Sequence, residues 1–287
     1  MFLLKFAVFS GIITVIQLIC AENVLAWGPG VHTVIALNIL NDPSLILPSI
    51  AGIITSFPSE YLYGCLAADF FVGKSKMKKG GHAHNWKGGF KFLEKANDDQ
   101  ELAYAYGLLS HLAADVVAHN FFVPNMINNH RAGRKNSHLY WEMRADYLIG
   151  PKYTRIAKDI LGMDHRGCDV MLKAIAGRKK RSLKAKKLIF IQSVKFSDRA
   201  YATRLAFFPY KAVDQLSFSK YAYFMAALSS RVVIGFLKHP GTSPCLRHDP
   251  IGTRNLGLAK RNRSLTHFFN THPKVPSFTV DRKLLEQ

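Results

Sequence analysis

Cysteine and acidic residues are both scarce in this chain of 287 residues. Its four cysteines are too few for a disulfide scaffold, and its 19 Asp and Glu face 39 Lys and Arg, which gives a formal net charge of +20. The 20 glycines and 12 prolines exclude a collagen-like or linker composition. Hydrophobic residues make up 48% of the chain, which excludes a disordered protein. The fold must therefore depend on a hydrophobic core.

Alternating apolar and polar residues bounded by hairpin turns are also lacking, which argues against a β-sheet fold. Apolar residues recur instead at helical spacing along most of the chain. This pattern predicts helices over residues 31–40, 44–56, 60–70, 86–96, 100–122, 137–149, 155–161, 169–175, 183–194 and 220–237. The predicted fold class is all-α.

The first 26 residues are typical of a secretory signal peptide. A short basic start precedes an apolar run over Phe6–Ile19, and small residues stand just before Trp27. A membrane anchor is the alternative, but the run is shorter than the about 20 residues that a span needs. We therefore predict cleavage after Ala26, with Ala21 as a second possible cleavage position, and a secreted or periplasmic mature protein.

The mature chain is expected to consist of a helical domain, residues 27–238, followed by a tail. Residues 239–287 are rich in Gly, Pro, Arg, Asn and Thr and lose helical periodicity, so they are predicted to form a basic, loosely structured tail. Export would place the protein in an oxidising compartment. At most one disulfide could form there among the three cysteines that follow the signal, which are Cys65, Cys168 and Cys245.

Positive charge is concentrated in the second half of the chain. Residues 1–150 have 12 Lys and Arg against 11 Asp and Glu, whereas residues 151–287 have 27 against 8. The densest basic run is Arg178–Lys187. Such a run forms either a solvated face or a surface for an anionic partner, which could be nucleic acid, an acidic membrane or a phosphorylated substrate.

Histidines are concentrated in the first half, where six of the 12 lie between His82 and His138. Within the longest predicted helix, His111, Asp115 and His119 are spaced four residues apart and share one face. The rest of this helix is apolar, so the three polar groups are expected to point into the protein. Burying them is costly unless they form a hydrogen-bond network or bind a metal.

Other His and carboxylate residues surround this triplet in the sequence. His138 and Glu142 stand one helical turn apart on the next predicted helix. His82 and His84 precede another helix, where a polar loop is the alternative interpretation, and Asp69 follows two alanines at the end of an apolar segment, where it could instead cap a turn. Nitrogen and oxygen ligands without cysteine favour zinc, although manganese and iron also accept them.

The predicted mature N-terminus adds further ligand candidates. Cleavage before Trp27 would expose its α-amine, which with the carbonyl could chelate a metal, and His32 follows five residues later. The full set exceeds the four ligands of one tetrahedral zinc, so we expect a cluster of two or three ions. The candidate ligands are Trp27, His32, Asp69, His82 or His84, His111, Asp115, His119, His138 and Glu142.

The order and spacing of these residues resemble those of the zinc-dependent phospholipase C family, which includes a phosphatidylcholine-preferring bacillus enzyme and the clostridial alpha-toxin. The resemblance covers roughly residues 27–150, and the second half has none of the family's motifs. In the bacillus enzyme the third His lies farther from the Asp than His119 lies from Asp115. His130, in a predicted loop, is the other candidate for that ligand, and the choice between His82 and His84 stays open.

The resemblance implies a trinuclear zinc site, in which Trp27 is a ligand and Asp69 is a ligand or general base. It implies a phosphodiesterase of the phospholipase C type, which acts on a phospholipid at a membrane surface. A single-strand nuclease or 3′-nucleotidase of the fungal type is an alternative, since the basic half could bind nucleic acid. Against it, aromatic residues are not interleaved with basic ones in a base-stacking pattern. A secreted basic binding protein without catalysis is the third possibility.

Overall fold

The computed structural model of the protein describes residues 27–70, 84–129, 137–176, 180–202, 215–269 and 278–287. Within these ranges the chain is helical and contains no β-strand, which confirms the all-α prediction. None of the described helices combines the length and the apolar character that crossing a membrane would require. The predicted signal peptide, residues 1–26, lies outside the described residues.

The first half of the fold contains helices whose starts are set by proline and capping residues. The bounds of its helices are α1 Pro29–Asn41, α2 Pro48–Ser56, α3 Pro58–Ala67, α4 Trp86–Lys95 and α5 Asp99–Val117. Each of α1, α2 and α3 begins with a proline, at a position where a backbone N–H would have no partner within the helix. Helices α4 and α5 begin after Asn85 and Asp98, whose side chains accept a hydrogen bond from a backbone N–H of the first turn.

The second half of the fold is also made of helices. Its bounds are α6 Val123–Asn129, α7 Ser137–Ile149, α8 Pro151–Gly162, α9 Arg166–Ala176, α10 Lys180–Ala202, α11 Gln215–Lys238, α12 Thr253–Phe269 and α13 Arg282–Leu285. Short 3₁₀ turns occur at Pro43–Leu45, Ala68–Phe70 and Pro244–Arg247. Every range that the sequence predicts as helical overlaps a helix of the structure.

Helix α5 forms the centre of the fold. Every residue from 107 to 117 is buried, and the helix packs against α3, α4 and α11. A helix that is apolar on all sides is stable only when other elements surround it. The polar residues on α5 are therefore enclosed by protein, as the sequence predicts.

Helices α3 and α5 cross at a contact between two glycines. A Cβ atom on Gly64 would lie 2.2 Å from the carbonyl oxygen of Tyr104, and one on Gly107 would lie 2.1 Å from that of Tyr61. Neither position has room for a side chain, so the two backbones touch. The contact lies one helical turn before His111 and sets how closely α3 approaches that residue.

A π-helical turn, Ala118–Phe122, joins α5 to α6, so the helix continues past residue 122, where the sequence predicts its end. Pro124 lacks an N–H, and in a regular α-helix that N–H would bond to the carbonyl oxygen of Asn120. The Asn255 side chain donates to this oxygen instead, at 2.9 Å. The turn contains His119, in keeping with the frequent occurrence of π turns at functional sites.

The C-terminal segment is packed onto the domain, and the prediction of a loosely structured tail is wrong for the residues that the structure describes. Helix α12 packs against α6 and the π turn. Cys245, Ala259 and Leu284 are fully buried. The prediction failed because the few apolar residues of α12 are separated by Arg, Lys and Asn, which hides the helical period. Residues 270–277 lie outside the described ranges.

All three cysteines of the described residues are buried and have free thiols. Burial raises the pKa of the Cys168 and Cys245 thiols to about 12, and it raises that of Cys65 as well. Each sulfur is therefore protonated at neutral pH, and a protonated thiol is a poor metal ligand.

Candidate metal centre

The predicted His, Asp and Glu ligands that the structure describes meet in one buried cluster. Four sets of three ligand atoms lie within 4.8 Å of one another, and shared residues join the sets into a continuous chain of donors. None of the residues is more than 9% exposed. The sets are His32, His111 and Asp115; Asp69, His84 and His111; His84, Asp115 and His119; and His119, His138 and Glu142.

Asp115 lies at the centre of the cluster, with imidazole nitrogens around both carboxylate oxygens. His32 Nε2 is 3.3 Å from Oδ1, while His84 Nε2 and His111 Nε2 are 2.7 and 3.1 Å from Oδ2. His111 Nε2 also lies 3.6 Å from Asp69 Oδ1. Both Asp115 oxygens are fully buried among these rings. A bound cation would satisfy such a buried carboxylate, so the donors fit a metal.

The protonation states of Asp115 and His32 suit metal binding. Burial opposes ionisation of Asp115, but the nearby His111 and His119 hold the pKa of its carboxyl well below the usual range. Burial, followed by repulsion from His111, lowers the pKa of His32. At neutral pH the carboxylate is ionised and the His32 ring is neutral, and these are the forms that coordinate a metal.

Backbone carbonyl groups fix the ring orientation of two histidines. His111 Nδ1 lies 2.7 Å from the Cys65 carbonyl oxygen, across the glycine contact between α3 and α5. His119 Nδ1 is hydrogen-bonded to the carbonyl oxygen of Pro250. An Nδ1–H that donates to a carbonyl leaves the lone pair on Nε2, so each ring can offer Nε2 to a metal.

His138 and Glu142 form the other end of the cluster, on α7. Their Nε2 and Oε1 atoms are 2.8 Å apart, as expected for residues one turn apart on a helix. The His138 ring meets the His119 ring edge to face, with centroids 5.3 Å apart. Helix α7 therefore closes the chain of donors that begins on α1.

Sequence reasoning missed Asp146, which lies one turn beyond Glu142 on α7. Its carboxylate is buried and accepts hydrogen bonds from the backbone N–H groups of Gly30 and Val31, at 3.0 and 2.8 Å. Burial raises the pKa of Asp146 to about 7. Asp146 thus fixes the first turn of α1, directly after Trp27. The spacing of four residues from Glu142 was the signal that could have revealed it.

Trp27 is fully buried beside the cluster. Its indole Nε1 donates to Ser229 Oγ at 2.9 Å, and its ring stacks on Phe122 with centroids 4.5 Å apart. Trp27 also lines the same cavity as Asp69 and Glu142. The side chain is therefore an anchor in the core, at the edge of the cavity.

The cavity is lined by both acidic and apolar side chains. Asp69, Glu142 and Asp146 are the acidic residues, and α10 contributes Phe190 and Val194. Among the described residues that line it, none is Lys or Arg.

The sequence profile of a family described as zinc dependent phospholipase C matches residues 31–192. The chain belongs to this family. The match covers more than half of the chain and contains the candidate ligands from His32 to Glu142, whereas Trp27 and the C-terminal segment lie outside it. No curated protein and no solved structure gives a significant match to the chain.

The ligand types present in the cluster fit a zinc-dependent phospholipase C. Five histidines and three carboxylates supply nitrogen and oxygen donors, which exceed the four ligands of a single tetrahedral zinc. Of the alternatives that the sequence leaves open, the structure brings His84 into the cluster, whereas His82 and His130 lie outside the described residues. His119 joins two of the donor sets, although its spacing from Asp115 departs from the bacillus pattern.

Proposed function

We propose that this protein is a secreted phospholipase C, which hydrolyses a phospholipid to diacylglycerol and a phosphorylated head group with the help of two or three zinc ions. The observation that carries the proposal is the buried chain of four donor sets in a member of a zinc-dependent family. Zinc would be held by the eight side chains of these sets and by the amine and carbonyl of Trp27. When bound, zinc polarises phosphate oxygens and lowers the pKa of a coordinated water.

Asp69 is the proposed general base. It is 1% exposed, it lies at the junction of the donor sets and the cavity, and its Oδ1 is 3.6 Å from His111 Nε2. A carboxylate in this position can orient a water molecule for attack on phosphorus and accept its proton. Phe190 and Val194, which line the same cavity, would exclude other water and contact apolar parts of the substrate.

The walls of the cavity support a lipid substrate over a nucleic acid. A nuclease needs cations along the sugar-phosphate backbone. The described lining residues include no Lys or Arg that would bind such a backbone. A head group that is neutral or cationic suits the carboxylates of the lining. Parallel assays on phosphatidylcholine micelles and single-stranded DNA test the choice, and cleavage of DNA alone would overturn it.

The outer face of α10 is the proposed contact with the membrane. Lys184 and Lys195 are exposed on it, and Leu188 and Ile189 between them are 57% and 37% exposed. Cations around exposed apolar side chains suit an anionic lipid surface. The double substitution Lys184→Glu and Lys195→Glu should weaken binding to vesicles that contain phosphatidylserine, while hydrolysis of a soluble substrate stays unchanged.

A matched control for this surface is the double substitution Lys260→Glu and Arg261→Glu, which reverses two exposed charges on α12. This variant should bind the same vesicles as the wild type does. Equal loss of vesicle binding in both proteins would indicate a dependence on total charge and would refute a specific role for α10. Part of the basic run, including Arg178 and Lys179, lies outside the described residues.

Export and cleavage before Trp27 are part of the proposal, because only cleavage frees the amine of that residue. Mass spectrometry of the secreted protein tests it directly. A mature chain that begins at Trp27 supports the amine as a ligand, and one that begins at Glu22 rules it out.

The zinc site is tested by metal analysis and phosphatidylcholine hydrolysis on the same samples. Asp115→Asn and Glu142→Gln should each lower the zinc content and reduce hydrolysis by about 100-fold or more, because each removes a charged ligand. Asp159→Asn is the control, since the Asp159 side chain is 67% exposed on α8. Full zinc content and full activity in either cluster variant would refute the site. A wild-type protein without zinc would indicate a non-catalytic binding protein.

A further inference from the structure

The segment 248–255 consists of the residues just before α12 and the first three residues of that helix. It lies directly against the π turn that contains His119. The Pro250 carbonyl oxygen is hydrogen-bonded to His119 Nδ1. The next residue of the turn, Asn120, donates through Nδ2 to the Asp249 carbonyl oxygen at 2.8 Å. Two consecutive residues of the turn are therefore held by two consecutive carbonyl groups of a segment about 130 residues away in sequence.

The conformation of this segment is tightly specified. The Asp249 carboxylate accepts hydrogen bonds from the N–H groups of Ile251 and Thr253, both at 3.0 Å. Gly252 has a φ of 62°, and a Cβ atom there would lie 2.3 Å from the His119 carbonyl oxygen. A residue other than glycine would be strained and would push the segment away from His119.

Two further contacts join the segment to the centre. The Asn255 side chain donates to the Asn120 carbonyl oxygen, which the proline at 124 leaves without its usual donor. On the other side, Trp86 Nε1 donates to the His248 carbonyl oxygen at 2.8 Å. Trp86 begins α4, just after His84, so the segment bridges the elements that carry two of the candidate ligands.

We propose that segment 248–255 is a positioning element of the metal centre, which fixes the tautomer and ring orientation of His119. The Pro250 carbonyl keeps the proton on Nδ1, so that Nε2 is available to zinc. The segment lies outside the residues that match the family profile, 31–192. The inference rests on His119 being a ligand of the proposed zinc site.

The test compares two glycines of the same region. Gly252→Ala should displace the segment, whereas Gly257→Ala, which meets nothing within 4 Å on the exposed face of α12, is the matched control. Asn255→Asp is a second change, and it is milder because the two side chains have nearly the same shape. It replaces the amide that donates to the Asn120 carbonyl oxygen with a carboxylate that repels this oxygen. Zinc affinity is measured by competition with a chelator, and the visible spectrum of the cobalt(II)-substituted protein reports on coordination.

Gly252→Ala and Asn255→Asp are expected to bind zinc about 10- to 100-fold more weakly and to show an altered cobalt spectrum, as removal of an outer partner of a ligating histidine usually does. Gly257→Ala should match the wild type. If a folded Asn255→Asp variant has the zinc affinity and the cobalt spectrum of the wild type, the inference is overturned. This outcome decides the test even if Gly252→Ala does not fold. No lipid is used, so failure to hydrolyse phospholipid would refute the proposed function alone, whereas a wild type that binds no zinc would refute both.

Discussion

Asp146→Asn is predicted to change how the stability of the protein depends on pH. In the folded protein the Asp146 carboxyl is buried between α1 and α7, and burial raises its pKa from 3.8 to about 7. In the unfolded chain the same group titrates near its ordinary value, about 4. Between these two pH values, the folded protein binds one proton more than the unfolded chain does. The substitution replaces the carboxyl with an amide of similar shape that does not titrate.

The magnitude follows from the two pKa values. Where the folded state binds the extra proton, the free energy of unfolding falls by about 1.4 kcal/mol for each pH unit of increase. The stabilisation is fully present below about pH 4 and is lost as the pH rises to about 7. Between pH 5 and pH 8 the wild type should therefore lose roughly 2–3 kcal/mol more stability than Asp146→Asn.

Urea denaturation of the metal-free protein at pH 5, 6, 7 and 8 measures this difference. The other titrating groups are common to both proteins, so they cancel when the two pH profiles are subtracted. Asp159→Asn, at an exposed carboxylate, should leave the profile unchanged. Parallel profiles for the wild type and Asp146→Asn would refute the reasoning, because they would show that Asp146 keeps an ordinary pKa in the folded state.

Three other predictions concern packing and the metal. Gly107→Ala should lower the free energy of unfolding by at least about 2 kcal/mol, because its Cβ would overlap the α3 backbone. Chemical denaturation measures this loss, and the control Gly257→Ala should change the same quantity by no more than about 0.5 kcal/mol. Chelation should lower the melting temperature and added zinc should restore it, with a smaller shift in Asp115→Asn, as measured by calorimetry. Ser229→Ala should cost about 1–2 kcal/mol in urea denaturation, since the Trp27 indole N–H loses its partner. An unchanged stability in that variant would contradict a role for the hydrogen bond.

The helices could be predicted from the sequence because their apolar period is a local property of the chain. The end of the longest predicted helix, residues 100–122, could not be predicted in this way. Pro124 indicates a helix end by local rules, and the donor that replaces its missing N–H comes from Asn255, far along the chain. The same long-range contacts order a C-terminal segment whose composition alone favours a loose tail.

The candidate ligands were also a local prediction, because residues four apart on a helix share a face. The spacing placed His111 and Asp115 correctly relative to each other, and their approach to His32 and His84 required the tertiary structure. The carbonyl groups that orient the rings could not be anticipated, since every residue has one and only the fold determines which of them meets a histidine.

The π turn also rotates the faces of α6 relative to those of α5, although the two helices form one continuous helix. A π turn contains one residue more than an α turn, and one residue corresponds to about 100° of rotation. Deletion of a single residue from the turn would therefore rotate α6 by about this angle relative to α5. Asn125, whose side chain exchanges hydrogen bonds with the Phe278 backbone at 2.8 and 2.9 Å, would then face a different part of the protein. The extra residue allows one continuous helix to direct His111 and Asp115 on α5 towards the other candidate ligands and Asn125 on α6 towards Phe278. An uninterrupted α-helix of this sequence could not make both sets of contacts.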